Sequence, residues 1–484
     1  MSDVVSPLLT DLYQLTMAQG YYRARRADDR AVFHLGFRRP PFAGGYALAA
    51  GLEPALTFVA DYRFSADEIA YLGALPGDDG APLFAADFLA FLRDLRLDVD
   101  IDAMPEGTVA FGQEPLLRVQ GSLIACQLIE TTLLNTINFQ TLIATKAARV
   151  CEAAGAAPVL EFGLRRAQGV DGALAASRAA YIGGCSATSN VLAGKRYGIP
   201  VRGTHAHSWV MAFDSEPEAF AAYADAMPNN CVLLVDTYDT LTGVRHAIDV
   251  GLALRARGKK LLGIRLDSGD LAWLSIEARK LLDAAGLADA TIFASNDLDE
   301  HVITSLRQQG AQIGAWAVGT RLVTGHDQPA LGGVYKLAMI AHAGKAFEPR
   351  IKLSEQATKI SNPGAQQVRR FSREGRFVAD VIYDAWKPER PTVLVDPFDA
   401  TRRRTLRRDL DHEDLLQPVV RAGARVSTPE SLATIRARAT TQREGLDPTI
   451  RRFANPHEYP VGLSKELFEE RMLLIERARG VPEA

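Results

Sequence analysis

From about residue 158 onward the chain repeats one local pattern: a short β-rich apolar run that stops at polar or Gly residues, then a segment with apolar residues at helical spacing. The runs are PVLEFG at 158, IPVRGTHAH at 199, CVLLVDTYD at 231, KLLGIRLDSGD at 260, TIFASND at 291 and IGAWAVGT at 313, and helical spacing marks 209–227, 244–257, 270–285 and 298–309. Strand, helix, strand in succession demands parallel pairing, because only a crossover connection returns the chain in the same direction. At least six such units favour closure over an open sheet. The expected fold class is therefore α/β, built on an irregular α/β barrel.

The rest of the chain brackets that region. Residues 1–135 mix helical pattern with extended pieces such as AVFHLGFRR, and the apolar run SLIACQLIETTLLNTINFQTLIATKAARV leads onward. After about residue 345 the pattern loosens into Arg-rich and Pro-containing sequence, with DPFDATRRRTLRRDL inside it. The expected organisation is an N-terminal α/β domain over 1–135, a barrel carrying the active site over 136–345, and a C-terminal region over 346–484 that partly completes the N-terminal domain. A chain of 484 residues can bury more than one core.

Charge and cysteine content narrow the function. With 55 Lys+Arg against 58 Asp+Glu, the net charge of -3 provides no general attraction to nucleic acid or to an anionic membrane, so any anion must be held locally. Cys126, Cys151, Cys185 and Cys231 form no CxxC pair and sit in apolar surroundings, which reads as buried thiols in a reducing compartment. No leader-like start and no membrane-spanning run is present in the sequence, so cytoplasmic residence is the expectation.

Unusual polar residues gather where the apolar runs end. In a parallel barrel those ends form one mouth, where side chains from many strands converge. GIRLDSGD puts Arg265, Asp267 and Asp270 at one strand end; the carboxylates suit ribose hydroxyls or a divalent ion, and Arg265 suits an anion or an aromatic ring. Asp270 is equally suited to capping the next helix. Gly319 and Thr320, followed by Arg321, suit a phosphate cradle, the Gly admitting backbone N–H groups to an oxyanion. Arg165 and Arg166 follow the first run and supply a local positive field, although arginine pairs are commonly plain solvated surface. In GTHAHSW, His205 and His207 alternate, so on a strand both imidazoles face one side. A metal pair, a structural pair and a single phospho-accepting His all fit that spacing. The metal reading, a His-x-His barrel hydrolase, needs further ligands at later strand ends.

Taken together, LLTDLYQLTMAQGYY, EFGLRRAQG, ATSNVLAGKRYGIPVRGTHAHSW, LVDTYDTLTG, GIRLDSGDL, SNDLDE, AVGTRLVTG, GGVYKL and KLSEQATKIS resemble the nicotinate phosphoribosyltransferase family, in order and over almost the whole chain. The resemblance implies a type II phosphoribosyltransferase-like barrel with an N-terminal α/β domain and a C-terminal segment, working as a homodimer. It implies that nicotinate and phosphoribosyl pyrophosphate become nicotinate mononucleotide and pyrophosphate, coupled to ATP and Mg²⁺, in NAD salvage. His207 would be the phosphohistidine, and Tyr13, Thr204 and Arg265 would contact nicotinate. Gly319 and Thr320 would hold the 5-phosphate, while Asp267 and Asp270 would engage the ribose and the Mg²⁺-pyrophosphate region, with Mg²⁺ near Asp270. Arg165, with Arg166 beside it, would flank the pyridine and phosphate. Ser189 stands where nicotinamide-specific relatives carry Asp, and a hydroxyl can donate to a carboxylate that an Asp would repel. This favours nicotinate over nicotinamide; a nicotinamide- or quinolinate-using phosphoribosyltransferase is the alternative. One departure is Ala365-Gln366 in NPGAQQVRRF, where relatives tend to carry basic residues; it bears on contacts made by that loop.

Overall fold

A computed structural model describes residues 6–387 and 391–480. The chain divides into two compact units, one formed by 1–141 together with 330–484 and the other by 142–329. Both mix helices and strands, so the class is α/β.

The second unit holds a six-stranded, all-parallel sheet. Its strands in chain order are β1 (Val159–Glu161), β2 (Ala187–Thr188), β3 (Val232–Leu234), β4 (Gly263–Leu266), β5 (Thr291–Ala294) and β6 (Ala315–Val318). Their order across the sheet is β2-β1-β6-β5-β4-β3. All residues of β1, β2, β3 and β6 are buried. That two-sided burial is why these stretches read as apolar runs rather than as alternation. Helices Thr240–Ala256, Leu271–Ala284 and Glu300–Gln308 follow β3, β4 and β5. Each starts at an aspartate, Asp239, Asp270 and Asp299 in turn, whose carboxylate accepts from backbone N–H groups of the first turn.

Two expectations about this unit need correction. The run at 199 is not a strand. Pro200 has no N–H to give, and only Val201 makes a bridge, to Thr188. The strand neighbouring β1 is instead the two-residue β2, too short for periodicity to reveal. The stretch 209–227 is also two helices, His207–Met211 and Glu216–Ala226, the second capped by Ser215 and opened by a Pro. The sheet has two edges, β2 and β3. Segment 200–204 lies along both: Pro200 O accepts from Thr188 N–H, Arg202 N–H donates to Thr188 O, and the Thr204 hydroxyl donates to Val232 O.

The first unit is built around sheets that are mostly antiparallel and to which N-terminal and C-terminal segments both contribute. Strand Arg30–Phe37 pairs on one side with Pro115–Ser122 and on the other with Gly333–Ala341, while Gln417–Arg421 joins the same sheet beside Asp100–Ala103. A second six-stranded sheet is drawn from the C-terminal part of the chain, with Arg376–Asp384 and Val461–Ser464, paired in parallel, at its centre. No helix among the described residues is long and apolar enough to cross a membrane.

Candidate active site

The carboxyl ends of the six strands are level. Glu161 pairs with Val318 on one side and Thr188 on the other, Leu266 pairs with Ala294, and Leu234 with Arg265. The polar residues that terminate the apolar runs are therefore delivered to one rim. Close approach of neighbouring strand ends explains two glycines. A Cβ at Gly319 would lie 2.9 Å from Phe162 O, and one at Gly163 would lie 2.2 Å from the Val323 side chain.

His207 opens the short helix His207–Met211. Its Nδ1 is 3.1 Å from the Thr237 hydroxyl. Its Nε2 points between two carboxylates, 3.9 Å from Asp236 Oδ1 and 3.8 Å from Asp267 Oδ2, both beyond hydrogen-bond reach. The imidazole is thus oriented on one nitrogen and open on the other. Asp236, not singled out from the sequence, is the most telling residue here. Its side chain is 1% exposed, and Oδ2 accepts from Asp267 N–H and the Ser268 hydroxyl, each at 2.8 Å. Oδ1 has no partner among the described residues. Its signal in the sequence was the same strand-end rule: the run CVLLVDTYD stops at it.

Arg265 is held by one contact, Nη2 donating to His205 O at 3.1 Å, and its buried Nε has no partner among the described residues. Burial lowers its pKa from the ordinary value, opposed by Asp267 and Asp236 and reinforced by repulsion from Arg165. Arg165 and Arg166 are exposed on the single 3₁₀ turn Leu164–Arg166. Asp267 keeps its place by accepting from the Ser295 hydroxyl. Asp270 turns its Oδ1 to Ala272 and Trp273 N–H as the cap of Leu271–Ala284, so that oxygen is committed to the helix. Ser189, half-buried, donates its N–H to Glu161 O. Gly319 and Thr320 begin the turn after β6. Tyr13 belongs to the first unit, about half exposed on the helix Leu12–Arg23.

The two histidines part company. With residues 202–206 outside any strand, His205 and His207 do not share a face. His205 is buried against Tyr223, its Nε2 accepts from Leu234 N–H, and its Nδ1 lies 3.3 Å from Ala206 O. Desolvation lowers its pKa to about 4. Both nitrogens are occupied, so the His-x-His metal pair is not formed.

A cavity of about 550 Å³ opens along the inner side of this sheet, walled by Phe162, Ala187, Val232 and Phe293, with Thr204 and Arg265 on its lining. Largely apolar walls with a cationic donor suit a flat anionic ring. The first unit has its own cleft, lined in part by His34, Arg38, Lys336, Lys359 and Asn362. Burial lowers the Lys336 pKa, and repulsion from Arg38 and Lys352 adds to it.

Comparison with known proteins fits this geometry. Family models describing the N-terminal domain, the family proper and the C-terminal domain of nicotinate phosphoribosyltransferase match residues 8–138, 158–368 and 365–471. The nicotinate phosphoribosyltransferase of Bacillus subtilis (strain 168) is 42% identical over 98% of this chain and 96% of its own length. The chain belongs to the nicotinate phosphoribosyltransferase family. The Homo sapiens nicotinate phosphoribosyltransferase is 37% identical over 95% of both chains. The crystal structure of human nicotinic acid phosphoribosyltransferase superposes with a TM-score of 0.84 at 35% identity, covering 96% of this chain and 99% of that one. A nicotinate-nucleotide pyrophosphorylase from Pyrococcus furiosus shares the fold, with a TM-score of 0.69 at 22% identity over 90% of this chain and 94% of that one.

Proposed function

We propose that this chain is a nicotinate phosphoribosyltransferase that uses the rim around His207, Asp236, Arg265 and Asp267 to join nicotinate to phosphoribosyl pyrophosphate in NAD salvage. The observation that carries the reading is a set of buried polar atoms left without partners, Asp236 Oδ1 and Arg265 Nε, in a unit whose sheet lines a cavity large enough for a pyridine ring.

The reaction needs little proton transfer. The pyridine nitrogen attacks C1 of the ribose, the bond from C1 to the pyrophosphate oxygen breaks, and the electron pair leaves with pyrophosphate. Catalysis then consists of positioning and of stabilising positive charge on the sugar and negative charge on the leaving group. Arg265 can donate from Nε to the nicotinate carboxylate, with the Ser189 hydroxyl as a second donor and Tyr13 assigned to the ring by the family resemblance. Asp267 suits the ribose hydroxyls, and Gly319 with Thr320 the 5-phosphate. The exposed Arg165 and Arg166 give a positive edge for pyrophosphate.

Coupling to ATP enters through His207. The γ-phosphoryl group passes to the imidazole with departure of ADP, and hydrolysis later restores the free ring. Thr237 orients the ring for this. Mg²⁺ takes only one or two protein carboxylates and leaves its other positions to water and phosphate. Asp236 Oδ1 and Asp267 Oδ2 answer that description better than Asp270. When bound, the ion neutralises charge on the phosphates.

Three finer readings accompany this one. The sheet is best taken as an irregular barrel, its gap between β2 and β3 spanned by segment 200–204. Leu164, Val191, Tyr238 and Trp273 follow strand ends and are 42%, 70%, 68% and 51% exposed, and Met211 of helix His207–Met211 is 67% exposed, an apolar fringe that suits a homodimer. Cys126, Cys151, Cys185 and Cys231 form no disulfide among the described residues, which suits the reducing cytoplasm. The test is incubation with nicotinate, phosphoribosyl pyrophosphate, Mg²⁺ and ATP, with nicotinamide and quinolinate in parallel. Nicotinate mononucleotide as the dominant product is expected; a faster reaction with either other ring, or none, overturns the proposal.

A further inference from the structure

Arg321 follows Thr320 directly, so from sequence it looks like the cation of the phosphate cradle. Its surroundings say otherwise. Nη1 donates to Asp299 Oδ2, and the Asp299 side chain is 2% exposed. The other oxygen of Asp299 accepts from His301 and Val302 N–H as the cap of Glu300–Gln308. The next residue, Glu300, is fully buried and is gripped by Arg149 at 2.7 Å and Lys146 at 2.8 Å. Lys146 also reaches Asp327, seven positions beyond Thr320, at 2.6 Å. Three acids and three bases thus form a balanced network that ties the loop after β5 to the loop after β6, both anchored on the long helix Glu130–Ala154. A guanidinium neutralised in this way contributes little net charge to an anion; what it fixes is the backbone around it. Across the network, the loop after β5 contains Ser295, which holds Asp267, and Asn296, a non-glycine residue at φ 112°. Such a backbone persists only where its surroundings over-determine it.

We infer that the Asp299–Arg321 pair, braced by Lys146, Arg149, Glu300 and Asp327, is a positioning device that sets the Gly319–Thr320 turn for the sugar phosphate. Arg321 is not itself a phosphate ligand. The inference rests on the proposed transferase reaction, so the wild-type enzyme is assayed first: without nicotinate mononucleotide formation that reaction fails, not this pair. With wild-type turnover established, Asp299→Asn keeps a capping oxygen and removes only the charge. Arg321→Gln removes the partner. Asp299→Asn should melt near the wild type, while Arg321→Gln, which leaves the buried Asp299 carboxylate unpaired, should melt lower; in the folded enzyme both should raise KM for phosphoribosyl pyrophosphate roughly tenfold, with KM for nicotinate changed less than about twofold. The double variant should be no worse than the poorer single one, as expected for two residues acting through one contact. Arg321→Lys should restore part of the loss. A lower KM in Asp299→Asn would make Arg321 a phosphate ligand restrained by its partner and overturn the inference. So would additive losses, an unchanged KM, or equal rises in both KM values.

Discussion

Each unit contains a cluster of buried charge, and the two are finished differently. In the first unit Arg370 is gripped by Asp380 through Nε and Nη2. Its Nη1 donates to Gln442 and its Nη2 also to Val109 O, while Tyr459 donates to Asp380. Glu114 lies beside the same pair, and burial together with the Asp380 charge holds its carboxyl well above the usual range; its Oε2 accepts from Phe111 N–H, and its Oε1 has no hydrogen-bond partner among the described residues. In the second unit Asp236 is as deeply buried, yet one of its oxygens is left bare, as is Arg265 Nε. The Arg370–Asp380 pair leaves no polar atom unused, and the unpartnered oxygen beside it belongs to Glu114; at the rim it is Asp236 and Arg265 themselves that each keep an unpartnered atom, and there a ligand can complete the hydrogen bonding. A buried ion pair whose polar atoms are all used, as in Arg370–Asp380, is architecture, whereas Asp236 and Arg265, each with an atom to spare, are placed for chemistry.

The contrast can be broken by experiment. The largest effect is expected for His207→Ala, which should melt like the wild type and lose the ATP-stimulated rate altogether; retained stimulation in a coupled nicotinate assay would remove His207 from the mechanism. Next, Asp380→Asn leaves Arg370 buried and uncompensated, and should cost about 3–5 kcal/mol of stability while the folded fraction keeps its specific activity. Denaturant titration with activity assays checks this, and a loss below about 1 kcal/mol would place the first cluster outside the core. Acid should act through the buried imidazoles. Desolvation lowers His205 to about 4 and His34 to about 3, against 6.5 in the unfolded chain. Both are neutral in the fold, so their contribution is whole above about 6.5 and is lost as pH falls toward those values, because only the unfolded chain takes up the proton. For His205 the loss is about 3 kcal/mol, measurable by unfolding between those limits. A stability that holds flat over that range would contradict the burial of these rings. The smallest effect concerns specificity: Ser189→Asp should shift preference from nicotinate toward nicotinamide by about tenfold, equal to about 1.4 kcal/mol. Unchanged discrimination in paired kinetics would take Ser189 out of the ring site.

Much of this was legible in the sequence because the parallel sheet writes itself as continuous apolar runs, and each run's polar end marks the rim. The runs at 158, 199, 231, 260 and 313 end in residues that the structure brings close: Arg265 and Asp267 share one strand end, His207 lies opposite Asp236, and Gly319 lies beside Phe162. The losses have physical causes. Strand β2 has two residues, below any periodic signal, and the run at 199 looked like a strand only because Pro200 and Gly203 were outweighed by their apolar neighbours. The two histidines were placed on one face by a strand spacing that the helix beginning at His207 does not obey. Asp236 was passed over because an Asp after a buried run looks the same whether it caps a loop or waits for a ligand; only the bare Oδ1 distinguishes the two. Asp270 is the converse, an acid in a striking motif position with one oxygen already spent on capping.

The most direct test of the difference between the two clusters is Asp236→Asn, which keeps an oxygen for Asp267 N–H and Ser268 and removes the charge at the bare position. Turnover and melting temperature should be measured on the same preparation. The account predicts a fall in kcat/KM of about 10²–10³ with an unchanged melting temperature. Near wild-type turnover, or a melting temperature lowered as far as that of Asp380→Asn, would contradict it.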